Sequence, residues 1–115
     1  MSLQIKVEDL SSDSAVVIFE GPLTFGMSLS LADSQLRGLV ERGIHRLVLD
    51  MTAVPYCDSA GLGAIVYIYG LAKQQGGMIR LVGLSERVAA MLRMTTTDSF
   101  LPIDKDRAAG ISALD

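Results

Sequence analysis

Three short, mostly apolar runs, Ala15 to Phe19, Leu47 to Met51 and Met78 to Val82, are separated by longer segments whose apolar residues fall at helical spacing. That alternation constrains the fold more than any other feature of the chain. Runs of this length, bounded by glycine, proline or charge, read as buried strands. Between the first two, Leu29, Ala32, Leu36, Leu39 and Val40 mark one face of an amphipathic helix from Ser28, and Gly43 supplies a left-handed stop. A loop from Thr52 to Asp58 leads into a second helix that ends at Gly76 and Gly77. Strands that alternate with helices imply βαβ units, in which the helices lie against the sheet, so the expected class is α/β.

The ends of the chain extend the pattern. Leu3, Ile5 and Val7 alternate with Gln4, Lys6 and Glu8, the period of a half-exposed strand. A turn at Asp9 to Ser14 then pairs this strand with Ala15 to Phe19 as a hairpin, which Gly21 and Pro22 terminate. After the third apolar run, Ser85 is a good N-cap for a helix to about Arg93, and Thr95, Thr96 and Thr97 dissolve the helical pattern. A short strand near Phe100 to Ile103 follows, and Asp104 or Asp106 caps a last helix ending around Leu114. No repeat, low-complexity segment or linker divides residues 1–115, so a single domain is expected. Met1 to Leu3 is compatible with native sequence or with a cloning remnant.

Composition narrows the function classes. Half of the 115 residues are apolar, enough for a core without disulfides or metal. The net charge of -3, with signs interspersed, leaves no basic stripe for phosphates, so direct binding to nucleic acid is not expected. The longest uncharged stretch, Ser59 to Ala72, falls short of the roughly 20 apolar residues of a membrane helix. No membrane insertion and no secretory signal are expected, and the lone Cys57 cannot form an internal disulfide; both fit a cytoplasmic location.

The stretch Tyr56-Cys57-Asp58-Ser59-Ala60-Gly61-Leu62-Gly63-Ala64 carries the functional signal, because it delivers a loop into a helix. Ser59 is expected at or near the N-cap, where free backbone N–H groups and the positive end of the helix dipole would hold an attached phosphate. Gly61 and Gly63 would leave the first turn open to a kinase active site. Asp58 cuts both ways: its charge repels an incoming phosphate, yet it can orient the hydroxyl or a kinase-bound metal. Ordinary capping by serine, worth on the order of 1 kcal/mol, explains the same residue without any function.

Asp58-Ser59-Ala60-Gly61-Leu62-Gly63 resembles the Asp-Ser-[Ser/Thr/Ala]-Gly-Leu-Gly signature of the STAS family, the domain of sulfate transporters and anti-sigma-factor antagonists. The order of elements agrees over nearly the whole chain: a strand such as Ile44 to Met51 precedes the motif, and the Gln74-Gln75-Gly76-Gly77 turn leads to a strand like Met78 to Val82. The resemblance implies a STAS-like α/β fold, a mixed sheet of four or five strands with about four helices mainly on one face. It also implies a phosphorylation-switched binding module, not an enzyme. The phosphorylated serine of the family's antagonists maps onto Ser59. Asp58, Ala60, Gly61, Leu62, Gly63 and Thr24 form the motif and the partner-binding surface, with Thr24, Ser59 and Leu62 on its exposed face.

The implied partner is an anti-sigma factor that is also a serine kinase of the histidine-kinase-like ATPase type, with a phosphatase for reactivation; no cofactor is implied. One departure stands out. Antagonists commonly carry Gly-Glu-Leu-Asp after the second strand, whereas this chain reads Gly21-Pro22-Leu23-Thr24, followed by Phe25 and Gly26, as in transporter-attached STAS domains. The alternative is therefore a STAS module that is not phosphorylated, or is transporter-associated, and binds a protein or a nucleotide or anion.

Other constellations are weaker. Cys57-Asp58-Ser59-Ala60-Gly61 half matches a hydrolase nucleophile elbow, but Cys57 replaces the first glycine and the only histidine, His45, precedes the serine. Gly61-Leu62-Gly63 begins a dinucleotide fingerprint that Val66 breaks. His45 has no neighbouring cysteine or second histidine for a metal and is assigned a surface or turn role. Cys57 is read as inert packing, Met91 and Met94 as core or docking residues, and Tyr67 and Tyr69 as pointing in different directions, with core packing preferred for the pair.

Overall fold

The computed structural model describes residues 2–115. Its elements are β1 (Gln4–Asp9), β2 (Ser14–Glu20), α1 (Met27–Glu41), β3 (Arg46–Ala53), α2 (Ser59–Gln74), β4 (Met78–Val82), α3 (Glu86–Met94), a 3-10 turn (Thr97–Ser99), β5 (Ile103–Asp104) and α4 (Arg107–Ser112). The five strands lie in chain order, β1 antiparallel to β2 and every other neighbouring pair parallel. The mixed α/β sheet with four helices agrees with the expectation.

Strand parity divides the sheet into two faces. Phe19, Leu47, Leu49, Met51, Ile79 and Leu81 pack on one side with Leu36 and Leu39 of α1, Ile65 and Ile68 of α2, and Val88 and Leu92 of α3. The alternate residues Val16, Val48 and Val82 meet Ile111 and Leu114 at the C-terminal end on the other side. Three helices therefore cover one face and α4 the other. The stop read at Gly43 is real: it has φ +98 and its N–H donates to Val40 O.

Several boundaries move. β1 starts at Gln4 rather than Leu3, yet Leu3 is buried in the main core and its N–H donates to Ser28 Oγ at 3.0 Å. Of the segment Met1 to Leu3, Met1 lies outside the described residues. β3 runs two residues further than expected, to Ala53, because Gly21 N–H donates to Ala53 O and extends the pairing with β2.

The strand expected at Phe100 to Ile103 is shorter and later, the two-residue β5 (Ile103–Asp104), and follows the 3-10 turn at Thr97–Ser99. Pro102 has no N–H to give, so pairing begins with Leu81 N–H donating to Pro102 O, and Phe100 packs against the Tyr69 ring at 5.8 Å. Of the two candidate caps for α4, Asp106 serves, accepting from Ala109 N–H at 2.9 Å. Asp104 instead takes both Arg80 Nε (2.8 Å) and a terminal nitrogen of the same guanidinium (2.9 Å).

Candidate functional site

The loop from Thr24 to Gly26 and the start of α2 meet at one end of the sheet, and Asp58 joins them. Its backbone is extended (φ -106, ψ -175), as an N-cap requires. One carboxylate oxygen accepts from Gly61 N–H at 2.9 Å and the other from Phe25 N–H at 2.9 Å. Asp58 N–H in turn donates to Leu23 O at 3.2 Å, and Leu23 N–H donates to Tyr56 O at 3.1 Å. The backbone donors of Phe25 and then Gly61 hold the Asp58 carboxyl below its ordinary range, so it is ionised at neutral pH.

Ser59 is thus the first residue of α2 and not its cap. Serine and aspartate cap equally well, and adjacent in sequence they could not be told apart; the second oxygen of Asp58, reaching Phe25, decides. Asp58 takes the Gly61 N–H, one of the backbone donors at the helix end. Ser59 is exposed, and among the described residues no hydrogen bond engages its hydroxyl. A group attached there projects outward.

The two motif glycines play unlike parts. A Cβ on Gly61 would lie 1.9 Å from Leu23 O, so Gly61 is a buried close approach between helix and loop rather than an opening for a kinase. Gly63 is exposed, with nothing within 4 Å of the place a Cβ would take, and it does leave the surface open. Leu62, expected on the exposed face, is 7% exposed and belongs to the core. Ala60 and Ala64 line a groove of about 430 Å³ between α1 and α2, bordered by Asp33, Arg37 and Tyr67.

Thr24 is half-buried beside this surface, and the next residue, Phe25, is 86% exposed. Sequence reasoning missed Phe25 as part of the site; an aromatic residue between Thr24 and a glycine, in a turn, was the available signal. Cys57 is half-buried, and burial, then the Asp58 charge, push its thiol pKa up, the opposite of an activated cysteine. His45 sits in the turn before β3, its Nδ1 buried without a hydrogen-bond partner among the described residues. Tyr67 is exposed beneath the Arg37 guanidinium, while Tyr69 is half-buried against Phe100. Met91 packs on the core and Met94 is exposed. No helix among the described residues is long and apolar enough to cross a membrane.

Comparison with known proteins adds three findings to the family model, STAS domain, that matches residues 4–110. The chain is 33% identical over 73 residues to the anti-sigma-B factor antagonist of Bacillus subtilis, covering 64% of this chain and 66% of that protein. A crystal structure of an anti-sigma factor antagonist from Mycobacterium paratuberculosis superposes with a TM-score of 0.82 at 22% identity, covering 98% and 94% of the two chains. The Bacillus cell fate determinant SpoIIAA, solved in its phosphorylated form, matches with a TM-score of 0.69 at 13% identity over 97% of this chain and all of that one.

Proposed function

The chain belongs to the STAS domain family, a family of binding modules rather than enzymes, and on that premise we propose that it is an anti-sigma-factor antagonist switched by phosphorylation of Ser59. The observation that carries the proposal is the unengaged, exposed Ser59 hydroxyl at the first position of a 16-residue helix. Around it, Thr24, Phe25 and Gly63 offer a surface beside the Asp58 carboxylate, with Asp33 and Arg37 on the neighbouring groove.

In the unmodified state this surface docks on an anti-sigma factor in the cytoplasm and releases the sigma factor. The partner, a serine kinase of the histidine-kinase-like ATPase type, transfers the γ-phosphoryl group of ATP to Ser59 Oγ. ADP leaves, and the hydroxyl proton passes to a base of the kinase. The phosphate adds about -1.5 to -2 charges beside an ionised Asp58, so the docking face changes from nearly neutral to strongly anionic and the complex separates. A phosphatase resets it.

Asp58 already caps the Gly61 N–H and ties down the loop, so phosphate on Ser59 displaces neither bond and α2 stays folded. The Gly21-Pro22-Leu23-Thr24 departure favours the second reading, a STAS module that binds its ligand without being phosphorylated. Pro22 and Leu23 are buried, which assigns that segment to scaffold and leaves Thr24 and Phe25 to face a partner. Incubation with MgATP and the anti-sigma kinase, followed by mass spectrometry, separates the two. Phosphate on Ser59 is expected, and its absence favours the second reading.

A further inference from the structure

β1 is an edge strand, with no strand paired on its outer side among the described residues. Leu10 N–H donates to Ser14 O, so the even-numbered residues of the hairpin aim their backbone groups at β2. The odd-numbered residues Leu3, Ile5, Val7 and Asp9 therefore aim theirs outward. The Leu3 N–H is already given to Ser28 Oγ, which leaves Ile5, Val7 and Asp9 as the free hydrogen-bonding edge. Beside it, Met27 (75% exposed) and Leu31 (64% exposed) of α1 stand with Leu3 and Ile5 along a groove of about 660 Å³.

We propose that this edge pairs with β1 of a second copy, antiparallel and centred on Val7, to give a two-fold dimer with a continuous sheet. The strand's own charges choose the occupant and the register. Two copies related by an axis normal to the sheet keep their faces only if residues of equal parity stand opposite. Centring on Lys6 or on Glu8 sets like charges face to face, which destabilises a pair. Centring on Ile5 demands the committed Leu3 N–H.

Centring on Val7 uses all three free residues, Val7 against Val7 and Ile5 against Asp9 twice. It also sets Lys6 of each copy against Glu8 of the other. These are non-hydrogen-bonded positions, where side chains come closest. Both side chains have room for a further partner: Lys6 pairs with Glu20 at 3.4 Å yet is 67% exposed, and Glu8 pairs with Arg107 at 3.1 Å yet is 55% exposed. On the other face, Met27 and Leu31 of each copy lie beside its own Leu3 and Ile5, the stretch that stands opposite Asp9 of the other copy. This inference is independent of the Ser59 reading, which concerns the end of α2.

Sedimentation equilibrium of the full chain up to millimolar concentration, at low salt, tests it. The wild type is expected to dimerise, Lys6→Glu and Glu8→Lys each to be monomeric, and an equimolar mixture of the two variants to recover dimers, because both cross-strand pairs are then opposite in charge. A monomeric wild type, single variants that still dimerise, or a mixture that stays monomeric would overturn the proposal. Hydrogen exchange on the wild type gives a readout that needs no variant: the Ile5, Val7 and Asp9 amides gain protection with concentration in the dimer and stay unprotected if no dimer forms.

Discussion

Replacing Gly61 by alanine tests how the motif is built. The new methyl would lie 1.9 Å from Leu23 O and 2.7 Å from its carbonyl carbon, both backbone atoms. Ordinary contact begins near 3.4 Å, so the Leu23 carbonyl must retreat by about 1.5 Å, an overpacking that costs roughly 1–3 kcal/mol. The retreat breaks the Asp58 N–H bond to Leu23 O (3.2 Å), for about 1 kcal/mol more. Better helix propensity returns about 1 kcal/mol. The net loss is about 1–3 kcal/mol, or a Tm fall of roughly 4–12 °C for a chain of this size.

Gly63→Ala is the matched control. It enters open space and should gain about 0.5–1 kcal/mol from propensity alone. Urea unfolding of both variants beside the wild type reads the difference. If Gly61→Ala proved as stable as Gly63→Ala, the close approach of helix and loop at Leu23 would be wrong, and with it the account of how Thr24 and Phe25 are placed.

Three further outcomes are expected. Ser59→Ala stays bound to the anti-sigma partner and Ser59→Asp binds weakly, both with stability within about 0.5 kcal/mol of wild type, because the side chain is exposed and unengaged; pull-down with parallel melts checks this. Asp58→Asn removes an acid whose folded pKa is depressed, so its contribution is present above the unfolded value of about 3.9 and lost as pH falls below it; acid unfolding of the variant should begin from lower stability and depend less on pH between about 5 and 2. Burial raises the Asp50 carboxyl, but hydrogen bonds from Thr52 and Arg107 outweigh it and leave the pKa lowered. Arg107→Ala strips the Arg107 nitrogens, at 2.8 and 3.2 Å, from that buried acid and should cost about 1–2 kcal/mol, discounted because Arg107 is partly exposed. A chemical denaturation curve for Arg107→Ala superimposable on wild type would contradict it.

The central fold was legible because its strands are short apolar blocks and its helices carry a clear periodic face. Legibility failed where long-range partners decide. Asp50 is a single polar residue in the otherwise apolar run Leu47 to Met51, and only α4, more than fifty residues later, brings Arg107 to it. Leu62 and Gly61 sit in a motif that reads as surface, yet Leu23 covers both the glycine and the helix end. Pro102 displaced the last strand through a missing donor, an effect that apolar patterning over Phe100 to Ile103 does not register.

The most direct measurement is the affinity of the anti-sigma partner for protein phosphorylated at Ser59 against unmodified protein, by titration calorimetry, with circular dichroism of both forms. Like-charge contact across an interface costs several kcal/mol, so phosphorylated protein should bind roughly 100-fold more weakly or worse while its helix content is unchanged. Equal affinity of the two forms, or loss of α2 on phosphorylation, would contradict the account.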